Sequence, residues 1–302
     1  MKQQVLITGA AGFIGRHVAL EYAKQGWKVV GIGHGDFSDY KSYGVSEWHR
    51  CDISLKTLNE FGVKPGVIIH CAGGASVGFS VDNPAADFDL TVRITSDVLE
   101  FIRLYTHSTR LVYLSSAAGY GQVKTLPITE QSPLNPVSPY GVHKVMAELL
   151  CKLYSQQFKL PVAILRPFSI FGPGLKKQLL WDACQKIHQG NFEFFGTGEE
   201  IRDWLHVDDL ANLVFKAAIH ASTECPVVNA GCGTGISVKE ILQVVIKQFS
   251  LEKNPIFSSK PRAGDPNAYI ADITSANAWD SQIKTDLREG IANYVEWYKQ
   301  CQ

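Results

Sequence analysis

Apolar positions in the first half of the chain follow two alternating rhythms. Short, nearly unbroken apolar runs at Val5-Leu6-Ile7, Lys28 to Ile32, Val67-Ile68-Ile69-His70, Arg110 to Leu114 and Val162 to Leu165 predict strands buried on both faces. Between them, Ile14 to Lys24, Asn83 to His107 and Tyr140 to Gln157 carry helical spacing. Doubly apolar strands separated by long helices predict an α/β fold, a doubly wound parallel sheet. After about Arg166 the rhythm changes. Phe171-Gly172-Pro173-Gly174 breaks it, and the pattern then predicts helices over Leu179 to His188, Asp208 to Ile219, Val238 to Phe249 and Leu287 to Tyr298. Strand-like segments lie at Arg202 to His206 and Val227-Val228-Asn229, with a turn at Gly196-Thr197-Gly198.

The first strand runs into the first helix through Thr8-Gly9-Ala10-Ala11-Gly12-Phe13-Ile14-Gly15. Glycines at 9, 12 and 15 permit a tight turn, close approach of backbone to a pyrophosphate, and close packing of helix on strand. The helix start then offers free N–H groups and a positive dipole end to the phosphates. A dinucleotide is the ligand this turn predicts. At the end of the second strand, where a carboxylate would hold a ribose 2′-hydroxyl, the chain reads Gly33-His34-Gly35-Asp36. With no acid to repel a 2′-phosphate, and with His34 and Arg16 as positive partners, the reading leans to NADP with NAD tolerated.

Composition narrows the class further. The 302 residues carry 29 Lys+Arg against 29 Asp+Glu, and no basic excess supports nucleic acid or an anionic membrane as partner. No apolar stretch approaches the length of a membrane span, and the N-terminus enters a strand at once, leaving no room for a signal peptide. Seven scattered cysteines without a Cys-x-x-Cys pair predict reduced thiols and a cytoplasmic location, not a disulfide framework or a zinc site.

Chemistry is suggested by Tyr140 and Lys144, four apart at the start of a helix and therefore on one face. An ammonium and a positive nicotinamide ring would both favour the phenolate and lower the phenol's pKa. Ser116, just after a strand, stands at the carboxyl end of the sheet, where ligands of open α/β sheets bind. His143, on the same helix, is set aside as facing elsewhere.

These segments, in this order, resemble the extended short-chain dehydrogenase/reductases, the NAD-dependent epimerase/dehydratase family that modifies nucleotide-linked sugars. The resemblance extends through Cys51-Asp52-Ile53, Ile69-His70-Cys71-Ala72-Gly73, Ser115-Ser116-Ala117, Ser138-Pro139-Tyr140-Gly141-Val142-His143-Lys144, Arg166 to Gly174, Arg202 to Asp209 and Pro261 to Pro266. It implies Asp52 and Ile53 at the adenine, Ala72 and Gly73 along the cofactor, and Pro167 and Phe168 near the nicotinamide. It implies Ser116, Tyr140 and Lys144 as the catalytic set, with Tyr140 as acid or base and Lys144 on the nicotinamide ribose. Ser169, Arg202 and Arg262 would meet a nucleotide-diphosphate sugar. Residues 1–171, with a return segment near 206–233, would form the Rossmann domain, and 172–205 with 234–302 a smaller sugar-nucleotide domain. A homodimer through the two long helices is implied as well, as is a place in polysaccharide biosynthesis.

Departures from the family pattern bear on the reaction. Ala117-Ala118 stand where sugar dehydratases have Asp-Glu, which speaks against dehydration, while Thr91 and Ser169 replace asparagines on the substrate side. Lys176, Lys177 and Gln178 are either nucleotide contacts or the solvated start of a helix. Gly231-Cys232-Gly233-Thr234-Gly235 imitates a second glycine fingerprint, read as a loop over the substrate nucleotide. The expected activity is epimerisation by hydride transfer at a sugar carbon, C4 first. The alternatives are an NADPH-dependent 4-keto reductase and a non-catalytic dinucleotide-binding regulator.

Overall fold

The computed structural model describes residues 3–259, 267–281 and 283–302. The elements in chain order are β1 (Gln4–Thr8), α1 (Phe13–Lys24), β2 (Lys28–Gly33), β3 (Val45–Arg50), α2 (Leu55–Glu60), β4 (Val67–His70), α3 (Val77–Asp82), α4 (Pro84–Phe88) and α5 (Ile94–Tyr105). They continue as β5 (Arg110–Leu114), α6 (Pro139–Phe158), β6 (Val162–Pro167), β7 (Ser169–Phe171), α7 (Gln178–His188), β8 (Glu193–Phe194), β9 (Ile201–His206), α8 (Val207–His220) and β10 (Val227–Ala230). The rest are β11 (Gly235–Ser237), α9 (Val238–Gln248), β12 (Ile256–Phe257), β13 (Ala268–Tyr269), α10 (Thr274–Ala278) and α11 (Leu287–Gln300).

Seven parallel strands form the main sheet in the order β10-β6-β5-β4-β1-β2-β3. Successive residues of each central strand feed different cores, because side chains alternate across the pleat. Val5, Ile7, Ile69, Val112 and Leu165 face one core with Val18 and Tyr22 of α1 and Leu210, Val214 of α8. Leu6, Ile68, Leu111, Tyr113 and Ile164 face the other with Val98, Ile102 of α5 and Ala147, Cys151 of α6. The sheet is therefore doubly wound, as the apolar pattern predicts.

A second sheet is built on β9, which pairs with β11 antiparallel and with β7 and β13 parallel. Beside it a separate core gathers Leu180 and Ile187 of α7, Ile241 and Val245 of α9, and Ile291, Tyr294 and Tyr298 of α11. One residue, Phe168, separates β6 of the main sheet from β7 of the second.

The predicted helix from Asn83 to His107 is three pieces. Its first residue, Asn83, lies outside the helical region (φ −136°, ψ 63°) because it precedes Pro84, whose ring disfavours that region for the residue before it. A π turn over Asp89–Arg93 then separates α4 from α5. No helix among the described residues is long and apolar enough to cross a membrane.

Candidate active site

The glycine turn is tight. Gly9 has φ +69°, and a methyl group there would lie 2.8 Å from the Ala72 amide nitrogen. At Gly15 a methyl would lie 2.3 Å from the Gly9 carbonyl oxygen, so neither position tolerates a side chain. The Gly9 amide donates to Ile32 at 2.8 Å and the Gly12 amide to Gly9 at 2.9 Å. Gly12 caps α1 with no side-chain hydrogen bond, which leaves the first-turn amides of Phe13 and Ile14 for a ligand. Open amides at a positive helix end, with backbone on both sides, fit a dinucleotide pyrophosphate.

Both cations expected at the ribose end meet carboxylates. His34 Nε2 lies 3.0 Å from Asp52 Oδ1 in an exposed pair beside Gly33. Arg16 Nε donates to the Ala11 carbonyl at 2.9 Å, Nη1 lies 3.3 Å from Asp39, and the guanidinium sits 4.6 Å from the Phe37 ring centre. Ile53 follows Asp52 into the core. Further along, the Ala72 amide donates to Thr8 Oγ1 at 3.3 Å. Thr8 in turn contacts His70 Nδ1 at 2.7 Å, and burial pushes the His70 imidazole down to about 3, so it is neutral.

Tyr140 sits at the second position of α6, behind the Ser138 cap and Pro139. Its amide donates to Ser80 Oγ at 3.0 Å, which docks α3 on the start of α6. Ser116 Oγ accepts from the Ala118 amide at 3.1 Å and hydrogen-bonds the Tyr140 phenol. Lys144 Nζ donates to the Leu114 carbonyl at 3.0 Å, lies 5.8 Å from the Tyr140 ring centre, and borders the space at Gly73. The structure thus gathers Ser116, Tyr140, Lys144 and Gly73 at the carboxyl ends of β4 and β5.

The protonation states depart from the sequence reading. Burial pushes the Tyr140 phenol up, the Ser116 hydrogen bond pulls the other way, and the Asp87 charge adds to the rise. Burial also lowers the Lys144 ammonium to about 8, against the raising charges of Asp87, Cys71 and Glu148. The chain by itself therefore keeps the phenol protonated. Desolvation outweighs the Ser116 hydrogen bond, and the lowering expected from Lys144 is not among the influences on the phenol.

Asp87 and His143 are the residues that sequence reasoning missed. Asp87 is fully buried, and its Oδ2 lies 2.6 Å from His143 Nδ1. The sequence reading turns His143 to a different face, yet at three residues from Tyr140 it shares that side of the helix. The spacing was the available signal. The partner, 56 positions distant, was not visible.

On the far side, Pro167 ends β6, the Phe168 amide donates to Ala230 at 2.9 Å, and Ser169 opens β7 opposite Trp204. Arg202 lies on β9, paired in register with Ile236 and Tyr269, with Nη1 donating to the Ile201 carbonyl at 2.9 Å. Arg262 lies outside the described residues. Lys177 Nζ donates to the Ala75 carbonyl at 3.3 Å, joining the segment before α7 to the rim beyond Gly73. The second glycine run holds no comparable anion site: the amides of Cys232 and Gly233 donate to buried Asp203 at 2.5 and 2.9 Å.

Comparison with known proteins places this geometry. The model of the NAD dependent epimerase/dehydratase family matches residues 5–231. A putative UDP-glucose 4-epimerase of Methanocaldococcus jannaschii is 31% identical over 303 residues, covering 98% of each chain. The solved UDP-glucose 4-epimerase of Thermotoga maritima with UDP-glucose superposes with a TM-score of 0.92 at 25% identity, over 99% of both chains. The UDP-glucuronic acid 4-epimerase of Bacillus cereus, solved with UDP-glucuronic acid and NAD, gives 0.89 at 25% identity, over 99% of this chain and 100% of that one. With its glycine turn, parallel sheet and Ser116–Tyr140–Lys144 cluster inside the matched region, the chain belongs to the NAD-dependent epimerase/dehydratase family.

Proposed function

We propose that this chain is a nucleotide-diphosphate-sugar 4-epimerase that uses a tightly held NAD. The observation that carries the reading is the Tyr140 phenol, hydrogen-bonded to Ser116 and flanked by Lys144 at the sheet end next to the glycine turn. Gly9, Gly12, Phe13, Ile14 and Gly15, with Ala72, Gly73, Pro167 and Phe168, would hold NAD, which when bound would supply the hydride acceptor and donor. As the phenolate, the form that the positive ring of a bound nicotinamide would favour, Tyr140 would take the proton of the sugar C4 hydroxyl and later restore it to the 4-keto oxygen, so one residue serves both directions. Ser116 holds that oxygen. Lys144 holds the cofactor ribose and stands beside the phenol. Ser169, Arg202 and Arg262 take the sugar nucleotide, with the residues from 172 to 205 and from 234 onward as the smaller, sugar-nucleotide domain.

The ribose end favours NAD over NADP. Asp52 engages His34 and Asp39 engages Arg16, so each cation a 2′-phosphate would need already faces a carboxylate. This shifts the sequence reading, which leaned to NADP on the missing strand-end acid. The relatives solved with UDP-sugars and NAD support the same choice.

Tyr140→Phe tests the reading. It should lower kcat on a panel of UDP-sugars by about 10²–10⁴-fold, with NAD binding retained by fluorescence titration. Unchanged turnover would overturn the proposal. Product formed without net change in reduced-nicotinamide absorbance marks an epimerase, and stoichiometric consumption of added NADPH marks the keto reductase instead.

A further inference from the structure

Beside the proposed site lies a buried pair that the hydride-transfer scheme does not use. Asp87 is 0% exposed, where α4, α6 and the segment after β4 meet. Its Oδ2 is 2.6 Å from His143 Nδ1, while its Oδ1 has no hydrogen-bond partner among the described residues. A methyl group at Gly74 would lie 2.0 Å from that oxygen, so the backbone of the cofactor-side segment rests directly on the carboxylate. The neighbouring Gly74 amide donates to Thr91 Oγ1 at 3.0 Å. His143 is held in turn by the edge of the Phe88 ring, 5.6 Å between centres. A half-satisfied buried carboxylate costs several kcal/mol if its one partner is lost, so its retention at this place calls for a role.

The charges around it narrow that role. Asp87 acts on both members of the proposed reacting pair: its charge raises the Tyr140 phenol and raises the Lys144 ammonium. From β4 and the segment behind it come His70, held neutral, and Cys71, pushed up to about 12. From α6 comes Glu148, whose carboxylate is taken by Arg166 and Ser115. In the π turn, Asp89 pairs outward with Arg93 in an exposed contact. Asp87, held by His143, is thus the charge left to act on the Tyr140 phenol.

We propose that Asp87 and His143 are positioning residues that act through Tyr140. Their hydrogen bond ties the first turn of α6 to α4 and Gly74, and the Asp87 charge holds the phenol protonated until sugar and cofactor are in place. Neither residue touches the reacting atoms. Asp87 tunes the base, and the His143 Nδ1–H hydrogen bond aims that carboxylate and draws part of its charge away from Tyr140. The inference rests on the reading of Tyr140 as the acid/base.

Tyrosine labelled with ¹³C at Cζ lets the phenol be titrated in the cofactor-free protein, with the Tyr140 resonance identified by its loss in Tyr140→Phe. Asp87→Asn, close in shape, should move the Tyr140 midpoint to lower pH by about one unit. His143→Leu, which leaves Asp87 without a donor, should move it upward, and His143→Gln, which keeps a donor, should restore the original midpoint. In the holoenzyme Asp87→Asn should shift the kcat/KM profile to lower pH by the same amount while KM for the sugar nucleotide holds. A Tyr140 midpoint unmoved in a folded Asp87→Asn protein overturns this inference whatever the activity does. Full activity in Tyr140→Phe overturns the assignment of the base and leaves the titration result standing, so the two failures are distinguishable.

Discussion

Lys144 is only 5% exposed, and its ammonium is lowered to about 8 because water has been removed from around it. Between about pH 8 and the ordinary lysine value near 10.4, the unfolded chain binds a proton that the folded chain does not, so stability should rise with pH across that window. Below about pH 8 the full cost of burying the cation is present. Lys144→Met should therefore stabilise the protein at pH 7 by about 1–2 kcal/mol, an advantage that fades by pH 10.5. Urea denaturation at the two pH values measures it, and equal gains at both would contradict the charge argument. The same substitution should remove activity. Ser116, Tyr140 and Lys144 were legible in the sequence because their spacing is local or tied to a strand end. The Asp87 contact was not, since it joins residues 56 positions apart. The opposing carboxylates at His34 and Arg16 were equally hidden, because Asp52 and Asp39 reach them only through the folded loops.

Among the elements, α6 does most to organise the site, and a buried ion pair bolts it to β6. Arg166 gives Nε and Nη2 to the two oxygens of Glu148 at 2.9 and 2.6 Å, while Nη1 reaches the Tyr120 hydroxyl and the Glu130 carbonyl. Ser115 Oγ adds a hydrogen bond to Glu148 at 2.6 Å. Arg166→Met should cost about 3–5 kcal/mol, because Glu148 is left buried and uncompensated. The double variant Arg166→Met, Glu148→Met should recover most of that loss, and chemical denaturation of the three proteins gives the coupling. A double variant no more stable than the single one would mean that packing, not charge, sets the cost. Of the elements themselves, the central strands read directly from apolar runs. Edge strand β3 did not, because Val-Ser-Glu-Trp-His-Arg is half exposed and carries no such run. Helix α2 is six residues long and rests on a Ser54–Thr57 capping box, too short for periodicity to speak. The break at Asn83-Pro84 was readable from the proline. The π turn after it was not, since its residues have ordinary helical composition.

At the scale of the whole molecule, α5 and α6 leave an apolar face in solvent. Val142, Met146, Leu149 and Leu153 follow one another along α6, with Leu149 60% exposed, and Leu104 and Tyr105 lie at the end of α5. Such a stripe marks a contact between proteins. We propose a second copy of this chain as the partner, paired through both helices about a two-fold axis. Leu149→Asp with Leu153→Asp should convert a dimer into a monomer in light scattering, and a wild-type chain that is monomeric at micromolar concentration would refute it. The junction between the main sheet and the second sheet has a further consequence at Phe168. A single residue between β6 and β7 makes the two sheets one continuous ribbon, with its amide clamped to Ala230. With one residue between them and its amide held by Ala230, β6 and β7 are placed relative to each other at Phe168 when the chain folds. The entropy of arranging them is spent then and not at each encounter, which leaves more of the binding free energy for the grip on the sugar nucleotide. A keto sugar formed as proposed would have to turn beside this junction, so the side chains that flank Phe168 would help to decide which sugars can turn.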